Sequence, residues 1–244
     1  MIIHLHKNSD RADANTERSA DIFREVLYSF LEKCRELAPK HTFKFKNPLY
    51  TFDSTLIRVC LSLFSWAKYR TKKGAFKIHT LLDHSGYLPS FLVITDGKTH
   101  DVKVVNDDSY GFPRNPNVCT AHVGDPQLSP DSILLIDRAY LDFNWMYSLT
   151  LGKLFFVTRA KSNMRYELVG QQPVHPKKGV VQDTLVRLAG HKQKESYPKD
   201  LRLVTYWDPE KNEEIVFLTN NFTLAARTIA DLYKSRWEVE TFFK

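Results

Sequence analysis

The stretch Ser132-Ile-Leu-Leu-Ile-Asp137 limits the possible folds more tightly than any other. Four consecutive apolar residues offer water no polar side, so a strand made from them must be covered on both faces. Such a strand lies inside a sheet with a layer on either side, which points to an α/β architecture. Asp137 falls at the C-terminal end of this strand, the edge of an open α/β sheet where ligands bind. It is therefore a stronger site candidate than the other acid singled out below, Asp53.

The 244 residues suit one large domain, or a domain carrying an insertion. Helical spacing of Ile22, Phe23, Val26, Leu27, Phe30, Leu31, Cys34 and Leu37 predicts a helix over Thr16 to Leu37, ended by Pro39. Tyr50 to Leu61 has strand composition, and alternation puts Asp53 on one face with Thr55, Ile57 and Val59. A carboxylate on so apolar a face needs a partner, unless it sits at a solvated strand start or serves as a cap. Ala75 to Leu82 and Tyr87 to Thr95, joined by Asp83-His84-Ser85-Gly86, predict a hairpin. Thr95 to Asp101 is expected to turn and open a short helix, with His100 and Asp101 contacting a metal or, more simply, in structural hydrogen bonds. Residues 106–131 are rich in Pro, Asn and Asp and are expected to form an exposed loop. A helix over Tyr140 to Leu151 and a strand over Lys153 to Arg159 follow.

Residues 165–215 change character, broken by Pro173, Pro176, Gly179 and Gly190. Leu201 to Trp207 and Glu214 to Thr219 flank a hairpin turn, so this segment is expected to be a β-rich insertion. Thr223 is predicted to cap the last helix. In that helix, at about 100° per residue, Tyr233, Arg236 and Glu240 fall on one face. Leu232, Trp237, Val239, Phe242 and Phe243 supply apolar bulk around the rest.

A net charge of +7 favours a polyanionic partner only mildly. More pointed are Lys68, Arg70, Lys72, Lys73 and Lys77, with no acid between them, and seven Lys or Arg against three acids from Lys177 to Arg202. Either run could be a solvated face or a phosphate-contacting surface. Three scattered cysteines suit a reducing cytosol and lack zinc-ligand spacing. With no run of 18 apolar residues and no signal-peptide anatomy at Met1, the chain is expected to be cytoplasmic and independent of membranes.

Asp53, Asp137 and Glu240 are far apart in the chain, so only neighbouring strands and a covering helix could bring them together. Hard oxygen ligands without His or Cys favour Mg²⁺ or Mn²⁺ over zinc. Two ions ~3.5–4 Å apart would suit displacement at a phosphodiester. The fork of Arg236 matches a phosphate.

Specific motifs then carry a resemblance. They are Ala12-Asp-Ala-Asn15, Asp53-Ser-Thr55, Leu61-Ser-Leu-Phe-Ser-Trp66, Lys77-Ile-His-Thr-Leu-Leu-Asp83 and Thr95-Asp-Gly-Lys-Thr-His-Asp101. Asp137-Arg-Ala-Tyr-Leu-Asp142, Phe155-Phe-Val-Thr-Arg-Ala-Lys-Ser-Asn163 and Leu218-Thr-Asn-Asn221 continue the series. With Tyr233, Arg236 and Glu240 at the spacing of a family signature, the chain resembles a DDE transposase of the insertion-sequence-four family.

The resemblance implies a ribonuclease H-like fold: a mixed five-stranded sheet, flanking helices and a β-rich insertion between the second Asp and the Glu. Residues 1–47 would be an N-terminal helical segment and 48–164 the first part of the core. The insertion would be 165–215, and 216–244 the end of the core bearing the Glu. It implies Asp53, Asp137 and Glu240 as a triad binding two Mg²⁺ or Mn²⁺ ions, and Tyr233, Arg236 and Arg159 as DNA contacts. The expected reaction is cleavage at insertion-sequence ends and strand transfer into target double-stranded DNA, by a homodimer. Alternatives are a catalytically weak DNA-binding remnant or a nuclease that cannot join strands. The family's Lys after the Glu, its C-terminal helices and its N-terminal DNA-recognition region have no counterpart here, so a truncated form is expected. Ala139 also stands where the family has Gly.

Overall fold

The computed structural model describes residues 19–60, 68–70, 73–107, 128–174, 179–237 and 241. Two compact units result, Met1–Pro39 and Lys40–Lys244. In the first, helix α1 spans Ala20–Leu37, and its N-terminus is closed by Ser19, whose hydroxyl accepts from the Asp21 amide at 3.1 Å. Asp21 in the first turn and Arg35 in the last both complement the helix dipole.

The second unit is built on one sheet with strand order β2-β3-β1-β5-β6-β10-β9-β8-β7, and β4 also pairs with β3. The strands are β1 (Leu49–Val59), β2 (Lys68–Arg70), β3 (Lys73–Asp83), β4 (Leu88–Asp96), β5 (Ile133–Ile136) and β6 (Phe155–Arg159). Strands β7 (Tyr166–Gln171), β8 (Val180–Leu188), β9 (Leu201–Asp208) and β10 (Glu213–Thr219) complete it. Strands β1, β3 and β4 form an antiparallel meander, while β5 runs parallel to both β1 and β6. The order β4-β3-β1-β5-β6 with those directions is the ribonuclease H-like core. The expected hairpin is β3–β4, turning through Gly86 and Tyr87 at φ 77 and 55.

All four residues of β5 are buried. Leu134 and Ile136 join Phe52, Tyr140, Met146, Leu149 and Phe156 on one side. Ile133 and Leu135 join Leu49, Val157, Phe217, Ile229 and Leu232 on the other. Each aliphatic side chain so enclosed contributes ~1.5–3 kcal/mol, which is why this short strand can anchor both layers.

The connections around β5 are helical. Helix α2 (Asp101–Asn106) follows the β4 turn, a 3₁₀ turn covers Arg138–Tyr140, and α3 is Phe143–Leu151. Asp142 caps α3 by accepting from the Trp145 amide at 2.9 Å. Of the loop expected at 106–131, residues 108–127 lie outside the described residues.

The β-rich segment continues the core sheet. Strand β10 pairs antiparallel with β6, so β7 to β10 extend the core sheet. A short helix not expected from the sequence, α4 (His191–Ser196), interrupts it. The motif Leu218-Thr-Asn-Asn221 fastens the junction. Asn220 Oδ1 accepts from the Phe156 amide, while its Nδ2 donates to Thr150 Oγ1 and the Leu154 carbonyl, all at 2.9 Å.

Asn221 Oδ1 then accepts from the amides of Thr223 and Leu224 at 3.0 and 2.9 Å, shaping the turn into α5 (Ala226–Ser235). This corrects the prediction that Thr223 is the cap. Ala225 holds the cap position, without a side-chain bond, and the turn is stabilised by Asn221 instead.

Candidate active site

The parallel register of β1 and β5 pairs Phe52 with Ile136, so the next residue on each strand is an aspartate. Two acids remote in sequence are thereby set side by side. Asp53 Oδ1 accepts from the amide of Ser54 at 2.8 Å, and Asp137 Oδ1 accepts from that of Ala139 at 2.8 Å. Each carboxylate therefore has its Oδ1 held by a backbone amide, while its Oδ2 meets the side chain of Arg236.

Arg236, at the C-cap of α5, reaches both of those second oxygens. Its Nη1 donates to Asp53 Oδ2, and its Nη2 lies 3.4 Å from Asp137 Oδ2. The rings of Tyr233 and Trp237 lie 5.3 and 5.2 Å from the guanidinium carbon. Only 6% of the Arg236 side chain is exposed. Burial works against its charge, but Asp53, the Tyr233 phenol and Asp137 outweigh this and raise its pKa above the ordinary arginine value. The pKa of Tyr233 is also raised, chiefly by burial, against the opposing pull of Arg236.

A second polar shell backs Asp53. Ser54 Oγ donates to Asp101 Oδ1 at 2.9 Å, and Lys77 Nζ donates to the same oxygen at 3.1 Å and to the Thr99 carbonyl at 2.8 Å. His79, fully buried, has Nδ1 2.7 Å from the Tyr140 hydroxyl and Nε2 3.0 Å from Thr95 Oγ1. Burial lowers the His79 pKa to about 4, with Asp101 opposing and Lys77 assisting. Burial, with nearby acids, lifts that of Tyr140 well above its usual value.

Sequence reasoning assigned Asp101 to structural bonding, as found, and missed Ser54, His79 and Tyr140. The available signal was the strand alternation that puts His79 on the same face of β3 as Lys77, two positions away.

Asp53, Asp137, Tyr233 and Arg236 are thus brought together. Arg159, at the end of β6, forms a 3.6 Å ion pair with Glu213. It also lines a cavity of about 680 Å³ with Asp137, Arg138, Lys211, Arg227 and Trp237. Glu240 lies outside the described residues, and these contain no cluster of three His, Cys, Asp or Glu able to hold a metal ion. The two aspartates nevertheless fit half of such a site. Both are hard oxygen donors, and a cationic guanidinium already stands between them.

No helix among the described residues is long and apolar enough to cross a membrane. Several members of the two basic runs are also committed internally. Lys77 is paired with Asp101, Arg187 with Asp200 at 2.7 Å, and Arg202 with Asp183 at 2.7 Å.

A ribonuclease H-like sheet with one aspartate midway along β1 and another just past the end of the adjacent parallel β5 defines the class of domain. Residues 44–244 match the Transposase DDE domain family, and the chain belongs to it. Among curated relatives, transposase y4zB of Sinorhizobium fredii is 29% identical over 96% of this chain and 60% of its own length. A transposase for insertion sequence element IS5377 of Geobacillus stearothermophilus is 28% identical over 92% of this chain and 54% of its own. One for element IS4SA of Synechocystis is 23% identical over 95% and 59%. The chain therefore spans somewhat more than half the length of these relatives. Among solved structures, the piggyBac transposase synaptic complex with hairpin DNA aligns with a TM-score of 0.41 and 12% identity, over 82% of this chain and 40% of that one.

Proposed function

We propose that this chain is the catalytic portion of a DNA transposase of the insertion-sequence-four family, with Asp53, Asp137 and Glu240 as its acidic triad. The observation that carries this reading is the pairing around one cation of Asp53, midway along β1, with Asp137, just past the end of β5. In this reading residues 165–215 are the insertion and 216–244 complete the core.

Asp53 and Asp137 would hold two Mg²⁺ or Mn²⁺ ions, with Glu240 completing the set. Bound ions would supply activation of the attacking oxygen and stabilisation of the departing one. The chain's own part is positional. The backbone amides of Ser54 and Ala139 orient the carboxylates, Asp101 fixes Ser54, and the buried His79–Tyr140 pair braces the strand behind them. Arg138, Arg159, Lys211 and Arg227 around the adjoining cavity suit the phosphates of a DNA end. Water would cleave the phosphodiester and leave a 3′-hydroxyl, which would attack a target phosphodiester and release the target's own 3′-hydroxyl. The family's named relatives support double-stranded DNA as partner, and a homodimer would hold two ends together.

The test is incubation with duplex carrying the element's terminal sequences, with Mg²⁺, Mn²⁺ or a chelator. Nicking and joined products that require metal and disappear in Asp53→Asn and Asp137→Asn are expected. Binding without cleavage in every metal would instead leave a DNA-binding remnant, and cleavage without joined products a nuclease.

A further inference from the structure

Arg236 is the one cation that touches both aspartates among the described residues, and this gives it a role beyond gripping DNA. We propose that Arg236 is the resident cation of the two-aspartate site, exchanged for a divalent metal when DNA binds, so that metal and DNA bind cooperatively through this one side chain. The inference rests on the reading that Asp53 and Asp137 hold such a metal.

Two carboxylates on adjacent strands that meet the same side chain repel each other unless a positive charge separates them. The guanidinium meets that need, with one arm on each acid. It is not a relaxed surface contact, since the side chain is almost wholly buried between Tyr233 and Trp237. The Asp53 Oδ2 lone pairs it occupies are those a metal would need. A divalent ion held by the same oxygen would also sit within a few ångströms of a buried positive charge, and the two repel. The guanidinium and the metal are therefore competitors for one seat.

The displaced guanidinium cannot travel far. The Arg236 backbone is fixed at the end of α5, its amide donating to the Tyr233 carbonyl at 3.2 Å. Its Nε has no hydrogen-bond partner among the described residues, so the buried group already has an unsatisfied donor. Away from the aspartates it needs another anion in the same small region, and the cavity beside it is lined by Asp137, Arg138, Arg159 and Trp237. A phosphate oxygen pair matches the two-pronged donor that the aspartates give up. Metal frees the fork for phosphate, and phosphate draws the fork off the carboxylates. Linkage makes the two effects equal in magnitude.

The experiment measures Mn²⁺ affinity by electron paramagnetic resonance on the full 244-residue chain, with and without a short duplex, after subtracting Mn²⁺ bound by duplex alone. The wild-type chain is expected to bind Mn²⁺ weakly alone and roughly tenfold more tightly with duplex, within the usual range of site coupling. Arg236→Gln removes the competitor, so it should bind Mn²⁺ about tenfold more tightly than wild type without DNA and gain little from adding it. Arg236→Lys keeps a charge but cannot span both acids, and should fall between. It also serves as the informative variant if Arg236→Gln does not fold by circular dichroism. Equal or weaker Mn²⁺ binding by these variants, or an undiminished DNA gain, overturns the exchange. Asp53→Asn and Asp137→Asn separate the two levels. If they leave Mn²⁺ affinity unchanged, the metal-site reading itself fails. If they abolish it while the Arg236 variants behave as wild type, only the exchange fails.

Discussion

His79 Nδ1 and the Tyr140 hydroxyl lie 2.7 Å apart in the layer behind Asp53, joining β3 to the turn that follows β5. Neither side chain is exposed, and burial holds His79 neutral with a pKa of about 4. His84, whose Nε2 is 2.7 Å from Thr51 Oγ1, is likewise depressed to about 4 by burial, with His41 assisting.

Both folded values lie below the unfolded one of about 6.5, so between these limits the unfolded chain binds protons that the folded chain refuses. The stability from neutral histidine is complete above pH ~6.5 and is lost as pH falls toward 4. Each unit of depression is worth on the order of 1.4 kcal/mol. Urea unfolding at pH 7.5 and 5 should show a marked loss at the lower pH, and His79→Gln should flatten the slope. An unchanged slope in that variant would show that His79 is not buried neutral.

Arg202 donates from Nε and Nη2 to both oxygens of Asp183, at 2.8 and 2.7 Å, with each side chain no more than 4% exposed. Its Nη1 also donates to the carbonyls of Asn221 and Leu224, which lead into α5. Removing one member leaves a buried charge without its partner, so Asp183→Ala or Arg202→Ala should each cost roughly 3–5 kcal/mol by chemical denaturation. The double variant should cost less than the sum of the two. Additive losses would mean that the pair does not act as a unit.

Gly179 has φ of 74, and a Cβ there would lie 2.8 Å from a ring carbon of Tyr206. Gly179→Ala should therefore destabilise by about 1–2 kcal/mol from the backbone conformation alone, and more if the ring cannot move. The same ring lies 5.0 Å from the Arg227 guanidinium carbon, so a displaced Tyr206 should also weaken DNA binding at the cavity. A thermal midpoint equal to wild type would contradict the close contact.

DNA binding should separate the cations that line the cavity from those that do not. Arg138→Ala and Arg159→Ala should each reduce the slope of log affinity against log salt by about 0.9, the value for one phosphate contact. Arg187, bound to Asp200 on the insertion, should leave that slope unchanged when replaced. An equal loss in all three variants would mean that the whole basic surface, and not the cavity, faces DNA.

Much of the architecture could be read from local pattern. The unbroken Ile133 to Ile136 run required a doubly covered strand, and the alternation around Asp53 placed that acid on a sheet face. The β3–β4 and β9–β10 hairpins were visible because turn chemistry acts over a few residues. The basic run from Lys177 to Arg202 could not be assigned from the sequence, for the opposite reason. Counting charges cannot tell a solvated cation from one such as Arg202, whose acid partner comes from a neighbouring strand.

The sequence by itself determined the period of each element and which strands carry acids, because both follow from side-chain order along one segment. Only the tertiary structure decided that Asp53 and Asp137 share a single guanidinium. Arg236 is 183 positions from Asp53, and a charge selects its partner by distance and burial in the assembled fold. The same holds for Asp101, Ser54 and Lys77, whose shared hydrogen bonds exist only because β1, β3 and α2 meet at one place.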